Sequence, residues 1–140
     1  MSDERRYFTL ASANATLPLV SRIVDDLMTL HPQWRQAVSA YELEQDAAST
    51  EETETARSAR LLAGRLAGEI ESCLHELEQV GCLFRGFDEG LVDFPALHEG
   101  REVFLCWRLG ESEVSHWHEV DAGFPGRQPL DSSFLAPEEA

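Results

Sequence analysis

His116 and His118 stand two apart in the stretch LCWRLGESEVSHWH, residues 105–118. On a β-strand such positions point to the same side, and that is how two imidazoles chelate one metal ion. Glu111 in the Gly-centred turn, Asp121 just past the strand and Asp93 upstream are the carboxylates that would complete a coordination set. A divalent transition metal held by His116 and His118 is thus the one cofactor this stretch offers. The competing reading needs no cofactor. In it His118 hydrogen-bonds a carboxylate or carbonyl as a structural group, and His116 is a bystander. We favour the second reading and expect no bound metal.

Two further groups carry chemistry. Cys106, paired with His116 or His118 as thiolate and imidazolium, would be a nucleophile. Its neighbours Leu105 and Trp107 argue instead for a small buried hydrophobe. The loop AGFPGRQP offers backbone N–H groups and the Arg127 fork to a carboxylate or phosphate. In an acid-rich chain Arg127 is more readily tied to a residue such as Glu111 or Asp121. The expected ligand site is therefore a polar cluster of Glu111, Trp117, His118, Asp121 and Arg127.

What faces His118 depends on strand register. If GES forms a three-residue loop, Leu109 pairs with Glu113 and Cys106 falls opposite His116. If the loop is only Gly110 and Glu111, Leu109 pairs with Ser112 and Leu105 takes that place. The sequence leaves both open.

These residues need elements to hold them. Thr9 has the character of a helix N-cap. After it Val20, Val24, Leu27, His31, Trp34, Val38 and Tyr41 recur at alternating spacings of four and three, the stripe of a helix–helix seam. Pro18 would start or bend this helix. The stripe keeps phase across Pro32, so a kinked but collinear helix is expected there. Ala59, Ala63, Leu66, Ile70, Cys73, Leu77 and Val80 repeat the pattern, and Gly81 supplies the stop. DAASTEETETA between the stripes is a turn or a looser helical stretch, with Ser49 and Glu52 as a capping box for the second helix. Gly64 and Gly68 leave a smooth patch whose helix-propensity cost, about 1 kcal/mol per glycine, close packing would offset.

Beyond Gly81 the period changes to two. LVDFPAL, REVFLCWRL and EVSHWHEV are three strands joined by short turns, and Pro95 places the first at an edge. The expected fold is α+β in one domain: an antiparallel helical hairpin over residues 9–80, a three-stranded antiparallel β-meander over 81–120 and an extended tail over 121–140 ending in a frayed acidic stretch. Helices of roughly 50 and 45 Å expose more apolar stripe than so short a remainder covers, so we expect a homodimer formed through them.

Bulk composition narrows the function. The chain has 140 residues, with 26 acidic against 11 basic and a net charge of -15 spread over both halves. Such a surface repels phosphate backbones and anionic lipid, so nucleic-acid and membrane partners are excluded. All the basic residues are arginine, which rules out a lysine Schiff base and a P-loop. Three cysteines without a CxxC, and no apolar leader or span, point to a reduced cytoplasmic protein.

The stretches YFTLASANATLPLV, GLVDFPAL, FLCWRLGE and WHEVDAGFPGRQPL resemble domain-of-unknown-function family 2203, uncharacterised proteins of prokaryotes. The resemblance covers nearly the whole chain and is most specific from Gly90 to Leu130. It implies a stand-alone cytoplasmic protein and brings no activity. Its pattern includes Gly110, Glu111, Trp117, His118, Gly123 and Arg127, but not His116. The function expected is a non-enzymatic module that binds a small ligand or a protein. The alternative is a small metal-dependent hydrolase using His116 and His118, with Glu111 or Asp121 as ligand or base.

Overall fold

The computed structural model describes residues 6–45 and 50–134. Helix α1 (Leu10–Glu44) begins where Thr9 caps it: the Thr9 hydroxyl accepts from the Ser12 N–H, and the Ser12 hydroxyl answers the Thr9 N–H. Pro18 lies well inside the helix and does not start it. Both Pro18 and Pro32 are exposed, and α1 runs through both despite the backbone donor each one removes. Helix α2 (Glu54–Val80) is capped by Thr53, whose side chain accepts from the Ala56 N–H. This corrects the expected cap: Glu52 pairs with Arg60, and Ser49 lies outside the described residues. Gly81 ends α2 at φ +105°, a conformation that favours glycine.

The antiparallel sheet has five strands in chain order, not the three expected: β1 (Leu83–Phe84), β2 (Leu91–His98), β3 (Arg101–Arg108), β4 (His116–Glu119) and β5 (Gln128–Pro129). The two extra strands lie at the edges and are two residues long, too short to display an alternating pattern. Strand β4 is also shorter than expected. Before His116 the chain is off the ladder, and the Val114 N–H donates to Asn14 Oδ1 of α1. Pro95 sits past the end of β1, and its carbonyl accepts from the Phe8 N–H on the side away from β3. Its own missing N–H would point to that same open side, which is why proline is tolerated there.

Alternation gives the sheet two faces. Val92, Phe94, Val103, Leu105, Trp107 and Trp117 pack on Val20, Val24 and Leu27 of α1 and on Ile70 and Leu77 of α2. Gly90, at φ +67°, lets the start of β2 approach α1: a Cβ there would lie 3.0 Å from Leu109 Cβ and 3.4 Å from Val24. Further along the hairpin Ala37, Ala56 and Ala59 are buried without belonging to that core. Among the described residues, and apart from the helix's own neighbouring backbone, nothing comes within 4 Å of a Cβ built on Gly64 or Gly68, so these contacts give no close packing to offset their cost. The tail pairs through β5 and returns to the sheet, where Phe134 stacks on His98 at 3.8 Å between ring centres.

Candidate functional site

The other face of the sheet carries the polar residues. Cys106 pairs with Asp93 on one side and His116 on the other, while Phe104 pairs with His118. This is the first of the two registers considered, with Cys106 opposite His116. It places Asp93, Cys106 and His118 side by side, all three buried. One donor atom from each lies within 4.8 Å of the others.

Each of the three has a further partner. Asp93 Oδ2 accepts from Arg85 Nε at 2.8 Å. His118 Nδ1 lies 2.8 Å from the Glu119 carbonyl, which can only accept, so Nδ1 carries a hydrogen. His118 Nε2 then faces Asp93 Oδ1 at 3.0 Å. That contact requires a proton between ring and carboxylate, whichever of them holds it. Arg127 Nε donates to Cys106 Sγ at 3.3 Å, and its Nη2 donates to Glu111 at 2.6 Å. Both arginines lie over aromatic rings, Arg85 above Phe104 at 5.2 Å and Arg127 above Phe124 at 5.5 Å.

Electrostatics follow from this packing. Burial pushes the Cys106 thiol up to about 11, and Arg127 offsets only part of that. The thiol is therefore protonated near neutral pH, which disfavours a resting thiolate nucleophile. Burial also raises the Glu111 carboxyl, but Arg127, the Arg108 N–H and His116 outweigh it and leave it below its ordinary range. Glu111 locks its own turn as well, since its carboxylate accepts from the Arg108 N–H while its carbonyl accepts from Trp107 Nε1.

Over these residues lies a cleft of about 460 Å³, lined by Asp93, Cys106 and His118 on the sheet, by Arg85 just past β1 and by Asp121 and Phe124 on the segment after β4. Of the residues named from sequence, Asp93, Cys106, His118 and Asp121 line the cleft. Glu111 and Arg127 form the ion pair beside it. Trp117 is on the opposite face of the sheet, in the core against His98 and Phe134. His116 shares the face of His118, but its Nδ1 lies 2.9 Å from Ser115 Oγ and 3.9 Å from Glu111, outside the compact donor set. In the Gly-Pro loop the N–H groups of Gly126 and Arg127 bond to the carbonyls of Gly123 and Phe124, closing a short 3₁₀ turn (Phe124–Gly126). Arg85 was missed. The signal available was its standing as one of few cations in an acidic second half, directly before the Gly86 turn.

No curated protein and no solved structure matches the chain. A family profile does, over residues 6–130, and its span includes every residue of the cleft. The chain belongs to the family described as uncharacterized conserved protein (DUF2203).

Proposed function

We propose that the protein is a small-ligand-binding module and that the cleft over β2, β3 and β4 is its site. The observation that carries this reading is the cleft itself. Its volume, about 460 Å³, is in the range of small-molecule sites, and buried polar groups form its floor. The ligand class follows from the lining. The Arg85 side chain is 44% exposed, so its guanidinium, tied to Asp93 through Nε, still presents an edge to the cleft. Leu91, Val120 and Phe124 supply apolar wall. A small molecule with a carboxylate or phosphate beside an apolar portion matches both.

Benzoate and phenyl phosphate are suitable probes, with benzyl alcohol as the neutral control. Perturbation of the His118 ring resonances by the two anions but not the alcohol, weakened at least tenfold in Arg85→Gln, is the expected result. Saturable binding elsewhere, or none, overturns the reading. A hydrolase using His116 and His118 as paired metal ligands has less support, because His116 is turned to Ser115 and Glu111.

We also infer a homodimer through the helices, in the cytoplasm. Leu43 is 85% exposed and Leu61 53% exposed near the hairpin tip, beyond the part that the sheet covers. The three cysteines are free, and among the described residues no helix is long and apolar enough to cross a membrane. Gly68→Ala separates the alternatives. If a second copy packs on α2 at this point, the substitution shifts the mass in solution toward monomer. A monomeric wild-type mass at micromolar concentration removes the dimer, and then Gly68→Ala should stabilise the chain by up to about 1 kcal/mol.

A further inference from the structure

We propose that Asp93, Cys106 and His118 are the protein ligands of a divalent transition metal, zinc by donor type, with the fourth position open to the cleft. Three features of the molecule support the assignment.

The first is convergence. A carboxylate oxygen, a thiol sulfur and an imidazole nitrogen from three adjacent strands lie within 4.8 Å of one another. Zinc bond lengths to oxygen, nitrogen and sulfur require tetrahedral edges of about 3.3–3.6 Å between such donors. The 3.0 Å separation of His118 Nε2 and Asp93 Oδ1 is already near that value.

The second is the outer shell. Metal ligands are characteristically oriented by a second hydrogen bond on the atom that does not bind the ion. Here Arg85 holds Oδ2 of Asp93 and leaves Oδ1 facing inward. The Glu119 carbonyl holds Nδ1 of His118, which selects Nε2 as the metal-facing nitrogen. Arg127, itself fixed by Glu111, donates to Cys106 Sγ and would stabilise its thiolate. Asp93 and His118 are thus each held through the atom that would not bind the ion, while Cys106 is met at the sulfur itself.

The third is the contact between His118 and Asp93. With Nδ1 committed to the carbonyl, a neutral ring turns a lone pair on Nε2 toward an acceptor oxygen. A proton satisfies that mismatch, and so does a metal cation bonded to both atoms. On binding, the ion displaces the Cys106 thiol proton and the proton between His118 and Asp93 to solvent. Carboxylate and thiolate then balance its charge, and the oxidation state of every atom is unchanged.

The donor chemistry, two anions and one imidazole including a soft sulfur, favours zinc over magnesium or calcium. Three protein ligands beneath an open cleft leave room for water or an anionic group in the fourth position. This site differs from the His116 and His118 pair that their spacing points to. Asp93 and Cys106 replace His116.

Cobalt titration of the metal-free full chain tests the proposal. The expected result is one Co²⁺ per chain with a thiolate-to-cobalt charge-transfer absorption, bleached by one equivalent of zinc. Cys106→Ser and His118→Gln should each lose the absorption while keeping the wild-type circular dichroism, and His116→Ala should keep it. If one ligand variant misfolds, the other is read alone. No charge-transfer absorption in the wild-type chain, or an equal one in a folded Cys106→Ser or His118→Gln, overturns the assignment. Cobalt binding needs no organic ligand, so loss of benzoate binding with cobalt binding retained would remove the ligand reading and leave the metal site standing.

Discussion

The two faces of the sheet are buried by different means. Toward the helices Val92, Phe94, Val103, Leu105 and Trp107 are enclosed by other apolar side chains, and their burial is favourable without any partner chemistry. On the outward face Asp93 and His118 are just as enclosed, yet each is there only because a charged or polar neighbour answers it. Removing a carboxylate from water costs several kcal/mol unless its hydrogen bonds are replaced. An apolar outer face would avoid that cost. The difference teaches where the fold comes from and where the chemistry sits: the inner face drives folding, and the outer face is an arrangement that folding alone does not require.

The largest effect should come from the inner face. Phe94→Ala removes a fully buried core ring that meets Phe8 edge-on, at a cost of about 3–5 kcal/mol measured by urea unfolding. Asp93→Asn tests the outer face at equal volume. Losing charge-assisted bonds to Arg85 and His118 should cost about 2–3 kcal/mol. A loss matching that of Phe94→Ala would mean both faces carry the fold equally. A loss below about 0.5 kcal/mol would mean the network contributes no stability beyond an ordinary surface position.

The smallest effect is a pH dependence. The Glu111 carboxyl is lowered in the folded chain, so its contribution is present above its ordinary value of 4.5 and is lost as pH falls through that value toward the lowered one. The urea midpoint should therefore drop more steeply below about pH 4.5 in the wild-type chain than in Glu111→Gln. Equal slopes would show that the Glu111–Arg127 pair is not coupled to folding.

Parts of this arrangement were legible before any coordinates. Thr9, the two apolar stripes and Gly81 marked the hairpin, because caps and a repeat of three and four are local signals of helix. The inner sheet face was legible in Val92, Phe94, Val103, Leu105 and Trp107, which alternate with residues of the other face. Edge strands were not, since Leu83–Phe84 and Gln128–Pro129 are strands only by virtue of the neighbour they pair with.

The site divides in the same way. Residue types and the shared face of His116 and His118 belong to the sequence, because side chains two apart on a strand must point alike. The tie between Glu111 and Arg127 was one of the pairings open to an arginine in so acidic a chain. Tertiary structure alone decided that Cys106 lies between Asp93 and His116, and that Asp93 meets His118 from 25 residues away. It also turned Trp117 into the core and brought Arg85 to the cleft. The reason is register. A slip of one residue between β3 and β4 would move every β4 side chain to the other face, and nothing local to either strand forbids it. What holds the pairing is packing across the whole molecule: Val114 tied to Asn14, Trp117 seated in the core and Trp107 bonded to the Glu111 turn.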